Sequence, residues 1–456
     1  MLEQNTVLLL TLALPFLGAL AVKAFTQRFA LRAGFAVLLV QMFLCSWLLK
    51  TVFAQKHVSF RMFDVLFACD LFSAVFLLTS VLVGIFIYLF SMGYFVNELP
   101  EEQATFAFWG LVFVGSMMGV VISDNLISLY LFWELAGLCS WKLIGFYRKD
   151  DHLLKADKAF LLTSAGAGFM LLGFACIYSY TGTLSLSHMY HSSVPPLVFA
   201  LFFLGVLTKS ASFPFHTWLP DASVAPTPVT AFLHAAVLVK IGVYALARIF
   251  GMTLDVSGSV MWAGWLALFS SFAAGIVATR ETDIKKILAF STISQLGFMI
   301  AGLMMFNAIA IRGVLIFYVA HALGKGCLFL CAGIIERIFG TKDIRMMGGL
   351  MKKTPALTYA FVFSMLSVIG IPPLPGFYGK LEAITGMLVK KHIGFALLAI
   401  LTSALTLIYL FRLFRQVFMG DYREVPAGGK AGIRTMTASV VILASISLAI
   451  GIMLIM

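Results

Sequence analysis

Fourteen stretches of this chain are apolar for long enough to cross a bilayer. They lie at about 6–22, 33–49, 64–92, 105–122, 125–146, 158–180, 195–214, 225–247, 259–278, 284–304, 308–335, 355–389, 393–411 and 435–455. An α-helix rises about 1.5 Å per residue, so each covers the roughly 30 Å hydrocarbon core or nearly so. The 456 residues are 61% hydrophobic and 11% charged, against about 25% charged in a soluble domain. That balance excludes a cytosolic enzyme, a nucleic-acid binder and a disordered chain, and indicates an all-α polytopic membrane protein of about 14 transmembrane helices. The net charge of +12 is then a matter of topology. Loops after odd-numbered stretches hold 21 Lys and Arg, among them Lys149, Lys286, Lys353 and Lys430, and the opposite loops hold 7, Arg248 included. The positive-inside rule places the odd-numbered loops in the cytoplasm and both termini on the other side. The first stretch, with Glu3 where a secretory signal would carry positive charge, is expected to remain as a helix of a chain starting at or near Met1.

Four basic residues are left inside apolar stretches: Lys209, Lys240, Lys325 and Lys380. Glu134 also lies inside one, Asp70 a little inside another, and Glu382 follows Lys380 by two positions. A charge at the bilayer centre costs about 2.5–3.5 kcal/mol even on the lenient insertion scale, so such groups need a partner or water and are functional candidates. Two stretches carry their own breaks. Pro214 interrupts the seventh just after Lys209, and Pro372, Pro373 and Pro375 interrupt the twelfth just before Lys380. Proline removes a backbone donor, so each is expected to be two half-helices. Broken helices five stretches apart imply repeats of five, helices 4–8 and 9–13, and an odd number makes them inverted in the membrane. The expected organisation is residues 1–104 as helices 1–3, 105–250 as the first repeat, 251–420 as the second and 421–456 as helix 14. The cysteines, including the pair Cys327 and Cys331, lack the company a metal site needs, and no nucleotide or haem motif is present. No cofactor or metal is expected.

The strings FWELAGLCSW, GVLTKSASFPFHTWLPDA, APTPVTAFLHAAVLVKIGVYALAR, RETDIKKILAFSTISQLGFM, YVAHALGKGCLFL and GIPPLPGFYGKLE resemble the signature segments of the proton-translocating antiporter-like subunits. That family includes the L, M and N subunits of NADH-quinone oxidoreductase (complex I), the large subunits of Mrp-type cation/proton antiporters, and membrane arms of energy-converting hydrogenases. The resemblance implies the same fourteen-helix fold with inverted repeats. It implies that Glu134 is the fifth-helix glutamate paired with the seventh-helix Lys209, that His234 and Lys240 are the eighth-helix relay, and that Lys285 is the tenth-helix lysine. It further implies that His321 and Lys325 are the eleventh-helix positions and that Lys380 is the twelfth-helix exit residue. The complex I M subunit has glutamate at that last position, and the GIPPLPGFYGK string looks closest to Mrp-type and hydrogenase-type members.

A buried ammonium and a nearby carboxylate interact by about 4 kcal/mol at 4 Å and an effective dielectric of 20, similar in size to the desolvation that opposes the charge. Moving Glu134 toward or away from Lys209 would therefore load or release a proton. The expected function is a proton-translocating subunit of a multisubunit NADH-quinone oxidoreductase-type or hydrogenase-type complex, with no redox chemistry of its own. The alternative is a subunit of an Mrp-type antiporter without a redox arm. Partners would be other membrane subunits, the lipid bilayer and protons, with Na+ as a second candidate ion and no nucleic acid. The location would be a bacterial or archaeal inner membrane. A Lys380→Glu variant is expected to keep partial function, and Lys380→Leu to block release.

Overall fold

The computed structural model describes residues 2–25, 27–62, 65–423 and 431–455. Met1, the expected start, and Lys430, one of the cytoplasmic-side bases, lie outside the described residues. The protein is all-α and polytopic. Among the described residues, twelve helices are long and apolar enough to cross a membrane: Asn5–Ala24, Ala30–Gln55, Leu71–Tyr94, Pro100–Ile122, Leu126–Ile144, Asp150–Thr181, Thr227–Gly251, Met261–Arg280, Ile284–Leu303, Ala308–Phe339, Ile393–Phe418 and Ile433–Met453. The two shorter apolar helices, Pro196–Lys209 and Pro355–Ile369, are the first limbs of the seventh and twelfth spans. Their second limbs begin with Trp218–Asp221 and Pro375–Val389. Twelve continuous and two interrupted spans make the fourteen that the hydropathy requires.

The interruptions share a backbone device. Helix Pro196–Lys209 ends at Ser210, and Ala211 then takes φ 49°. Helix Pro355–Ile369 ends at Gly370, with φ 93°. Glycine enters this region at little steric cost, whereas a residue with a side chain there costs of order 1–3 kcal/mol. The alanine follows Lys209 by two positions in the chain.

The chain divides into two compact units. The first comprises Met1–Tyr88, Asn97–Ser210 and Ala236–Val260. In it, His57–Met62 and Val65–Asp70 form an antiparallel hairpin, with His57 opposite Asp70. The third span therefore starts at Leu71 rather than at 64, because alternating apolar residues such as Val58 and Phe60 pair as strands before the helix begins. A short bridge joins Asn125 to Ser185, and the 32-residue helix between them, Asp150–Thr181, is closed by left-handed Gly182.

The second unit comprises Leu89–Val96, Ala211–Ala235 and Met261–Met456. Its own bridge joins Asp283 to Asp343, and the intervening 32-residue helix, Ala308–Phe339, is closed by left-handed Gly340. Both bridges are followed by a single 3-10 turn, Leu186–His188 in one unit and Ile344–Met346 in the other. The fifth and tenth spans both begin with a side-chain cap, Asn125 on the amides of Ile127 and Ser128 and Asp283 on those of Lys285 and Lys286. These matched details are the five-helix repeat, seen element by element.

A close seam in the second unit lies between Ala308–Phe339 and Pro375–Val389. A Cβ at Gly379 would stand 2.4 Å from the Phe317 amide nitrogen, and one at Gly313 would stand 2.4 Å from that of Ala383. Backbone cannot step aside as a flexible side chain can. Gly379→Ala is therefore expected to lower stability by about 1–3 kcal/mol, the usual cost of overpacking. The check is the melting midpoint of the detergent-extracted protein, which should fall, against an unchanged midpoint for Gly168→Ala, where a Cβ meets nothing within 4 Å.

Candidate functional site

In the first unit, Lys209 is the last residue of its half-helix and is fully buried. Its Nζ donates to the Trp133 carbonyl at 3.1 Å and lies 5.3 Å from the centroid of the Trp133 ring. Glu134, the next residue, is half-buried, and one carboxylate oxygen accepts from Ser164 Oγ at 3.0 Å. Its other oxygen, Oε1, has no hydrogen-bond partner among the described residues. The two side chains expected to pair are thus held by separate partners, Lys209 by the Trp133 carbonyl and Glu134 by Ser164. Gly137 keeps the space open, since a Cβ there would stand 3.2 Å from Lys209 Nζ.

Lys240 is fully buried on Leu238–Leu246. Two residues on, Gly242 lies against the end of the Lys209 helix, where a Cβ would meet Ser210 Oγ at 2.4 Å and the Val206 carbonyl at 3.2 Å. The eighth span is not the regular helix its composition suggests. It is π-helical at Phe232–Ala236 and again at Ala247–Gly251, and such bulges are frequent at functional positions. Arg248, counted among the loop bases, is as buried as the lysines of the apolar stretches: it is 6% exposed and donates to Asp70. Burial disfavours the Asp70 carboxylate, but the Arg248 guanidinium and the Ser73 amide outweigh it and hold the group below the usual carboxylate value. Asp70 thus has a buried cation as its partner.

In the second unit, the eleventh span carries Phe317, His321, Lys325 and Phe329 at intervals of four, a single stripe about 18 Å long. His321 and Lys325 are fully buried. His234 stacks on Phe329 at 4.2 Å between ring centroids, and neither of its ring nitrogens has a hydrogen-bond partner among the described residues. At the other end, Lys380 Nζ lies 5.1 Å from the centroid of Phe317 and donates to the Ile369 carbonyl at 3.1 Å. Midway, Lys325 Nζ donates to Ser291 Oγ at 2.6 Å and to the Leu288 carbonyl at 3.0 Å. Lys285 stands apart from this stripe. It is 2% exposed and pairs with Glu336 at 2.7 Å, and Lys342 reaches the other oxygen of that carboxylate at 3.8 Å. Glu382 pairs with Arg312 at 2.7 Å, so it is not the fixed partner of Lys380 that its spacing allowed.

Residues 123–406 match the family described as NADH:quinone oxidoreductase/Mrp antiporter, TM. The chain belongs to that family. Within the Mrp antiporter and quinone oxidoreductase group, it is 36% identical over 362 residues to a Na(+)/H(+) antiporter subunit of Bacillus subtilis (strain 168), covering 72% of this chain and 45% of that protein. It is 34% identical over 391 residues to NAD(P)H-quinone oxidoreductase chain 5 of Synechocystis sp. (strain ATCC 27184 / PCC 6803 / Kazusa), covering 80% of this chain and 56% of that one. The chain spans about half the length of the curated relatives it matches. A chain of the Mrp complex from Dietzia sp. DQ12-45-1b superposes with a TM-score of 0.88 at 23% identity, covering 99% of this chain and 95% of that one. A chain of the membrane-bound sulfane sulfur reductase, an archaeal respiratory membrane complex, gives 0.85, also at 23% identity, with 98% and 94% covered. These likenesses establish the fold.

Several polar groups of this antiporter-family chain escape a reading by charge and hydropathy. Glu336 lies eleven positions after Lys325, about three turns, and so continues the face that bears the lysine. Ser291 and Gln295 lie one turn apart on the tenth span. A search for polar residues at helical spacing within apolar spans would have found all three.

Proposed function

We propose that the chain is a proton-translocating, antiporter-like membrane subunit of a multisubunit complex of the NADH-quinone oxidoreductase or hydrogenase type. In this reading, protons pass among Glu134, Lys209, His234, Lys240, Lys285, His321, Lys325 and Lys380. The observation that carries it is the eleventh-span stripe, which places His321 and Lys325 between rings touching His234 at one end and Lys380 at the other. Ionisable groups in such surroundings are costly to retain for packing alone. The group-to-group passage needs only protons, side-chain motion and water. A second reading, a subunit of a cation/proton antiporter without a redox arm, is favoured by the Na(+)/H(+) antiporter relatives of Bacillus and Staphylococcus. Under either reading the partners are other membrane subunits and lipid. The loop charge bias supports a cytoplasmic face for the odd-numbered loops and an outer face for both termini in a bacterial or archaeal cell membrane.

The test is proton movement in vesicles carrying the assembled complex, followed with a pH-sensitive dye. Lys240→Ala and Lys325→Ala are each expected to slow it at least ~10-fold, the effect of about 1.4 kcal/mol on a barrier. His234→Ala should be milder, because Lys240 follows it on the same span. Unimpaired transport in both lysine variants would overturn the proposal. Driving the vesicles with an electron donor or with a Na+ gradient alone separates the two readings.

A further inference from the structure

Beside Lys325 the second unit holds a run of buried hydroxyl and amide groups that the relay does not use. Lys325 Nζ donates to Ser291 Oγ at 2.6 Å, Ser291 Oγ donates to Tyr409 Oη at 2.9 Å, and Tyr409 Oη donates to Thr406 Oγ1 at 3.2 Å. Thr406 Oγ1 donates in turn to the Thr402 carbonyl at 2.9 Å. Gln295 Nε2 donates to Thr406 Oγ1 at 2.9 Å and to Tyr409 Oη at 3.3 Å, while its Oε1 has no hydrogen-bond partner among the described residues. Ser291, Thr406 and Tyr409 are 0% exposed and Gln295 is 1% exposed. Each hydroxyl of the run donates to the next group along from the lysine.

A hydroxyl both donates and accepts, and its hydrogen turns to suit its neighbours. An ammonium can only donate, which fixes the present order. A neutral amine offers a lone pair, so Ser291 can turn its hydrogen toward Nζ, Tyr409 toward Ser291 and Thr406 toward Tyr409. The far end tolerates this, because Gln295 donates to both Thr406 and Tyr409 in either sense. The Thr402 carbonyl lies inside helix Ile393–Phe418, where the backbone ladder still engages it. No covalent bond breaks; three rotors turn, and each buried hydroxyl keeps a partner, as burial demands.

We infer that Ser291, Tyr409, Thr406 and Gln295 form a reversible hydrogen-bond chain that serves Lys325 in both its charged and neutral states, with Ser291 and Tyr409 as positioning residues. The inference rests on the reading of Lys325 as a relay group. Hydrogen bonds in a chain polarise one another, so its members act as a unit. The other titratable groups facing this region are His321 on the same helix, His234 against Phe329, Lys380 against Phe317, and the Lys285–Glu336 pair at the start of the tenth span.

The experiment compares proton movement against pH in vesicles of the assembled complex carrying Ser291→Ala, Tyr409→Phe, the double variant or Lys325→Ala, with rates normalised to assembled protein. The hydrogen bond that Ser291 accepts from the ammonium is charge-assisted and stronger than the one it gives to the neutral amine, so Ser291→Ala and Tyr409→Phe are each expected to displace the pH profile toward acid by about 1 unit, a tenfold change. The double variant should be displaced no further than the larger single, since interacting positions are not additive. A lower rate at every pH with an unmoved profile, or displacements that add, would overturn the inference and leave a packing role. Should Tyr409→Phe fail to assemble, Ser291→Ala alone decides by the same displacement. If Lys325→Ala transports normally, the relay reading itself fails, a result distinct from an abolished Lys325→Ala beside an unmoved Tyr409→Phe profile.

Discussion

Lys209→Met is expected to abolish proton movement in a complex that still assembles. The ammonium has one backbone acceptor, the Trp133 carbonyl at 3.1 Å, and lies over the ring of the same residue at 5.3 Å. Methionine fills a similar volume, keeps the aromatic contact and removes a charge whose burial was costly. Folding therefore loses little, whereas the proton loses its carrier. Glu134→Gln should be as severe for a different reason: glutamine retains an acceptor for Ser164 but cannot attract the ammonium. Since Glu134 rests on Ser164 and Lys209 on Trp133, the pair is caught apart. A swing of the glutamate toward Nζ would supply the changing field that loads and unloads the lysine. Ser164→Ala frees the carboxylate from its resting partner and should alter rate without abolishing it. Dye quenching in vesicles, with blots for the partner subunits, reads all three, and wild-type rates in Lys209→Met would remove this step from the mechanism.

The spans, the two breaks and the interior lysines were legible because a bilayer allows few solutions. Apolar length, proline in an apolar run and a charge where none should be are signals carried by single residues. Glu134 stood out by the same signal, and the family resemblance then pointed to His234, Lys285 and His321. What stayed hidden is informative in the same terms. The hairpin at His57–Asp70 is apolar enough to merge with the third span by hydropathy, and only its alternation marks it as strand. Arg248 counts as a loop base by hydropathy because it falls just past the stretch ending at 247; its partner, Asp70, comes from far along the chain. The π segments at Phe232–Ala236 and Ala247–Gly251 leave no mark on hydropathy or helical spacing. Glu336 carries no signal of its own near the end of its helix, and its two lysine partners, Lys285 and Lys342, are set beside it by the fold.

Lys380→Glu, expected from the resemblance to keep partial function, is expected from the structure to fail as completely as Lys380→Leu. Lys380 does more than sit near the break. Its ammonium caps the Ile369 carbonyl, in the last residue of helix Pro355–Ile369. That end of a helix carries partial negative charge, which favours a cation by about 0.3–1 kcal/mol and up to ~2 kcal/mol in partly buried sites. The faces of Phe298 and Phe317, at 5.7 and 5.1 Å, add a preference of the same sign. A carboxylate there would meet the carbonyl end and two electron-rich rings. Glu382, two positions on, offers no relief, because it is itself a carboxylate and the cation near it, Arg312, is paired with it. Lys380→Arg separates the two roles the position combines: arginine preserves the positive cap but does not give up its proton, so the complex should assemble with normal stability and still fail to release protons. The measurements are the melting midpoint of the purified complex and the initial rate of proton movement. A Lys380→Glu complex moving protons at a third or more of the normal rate would show that the position is wanted for proton exchange of either charge type, and that the cap on Ile369 is incidental.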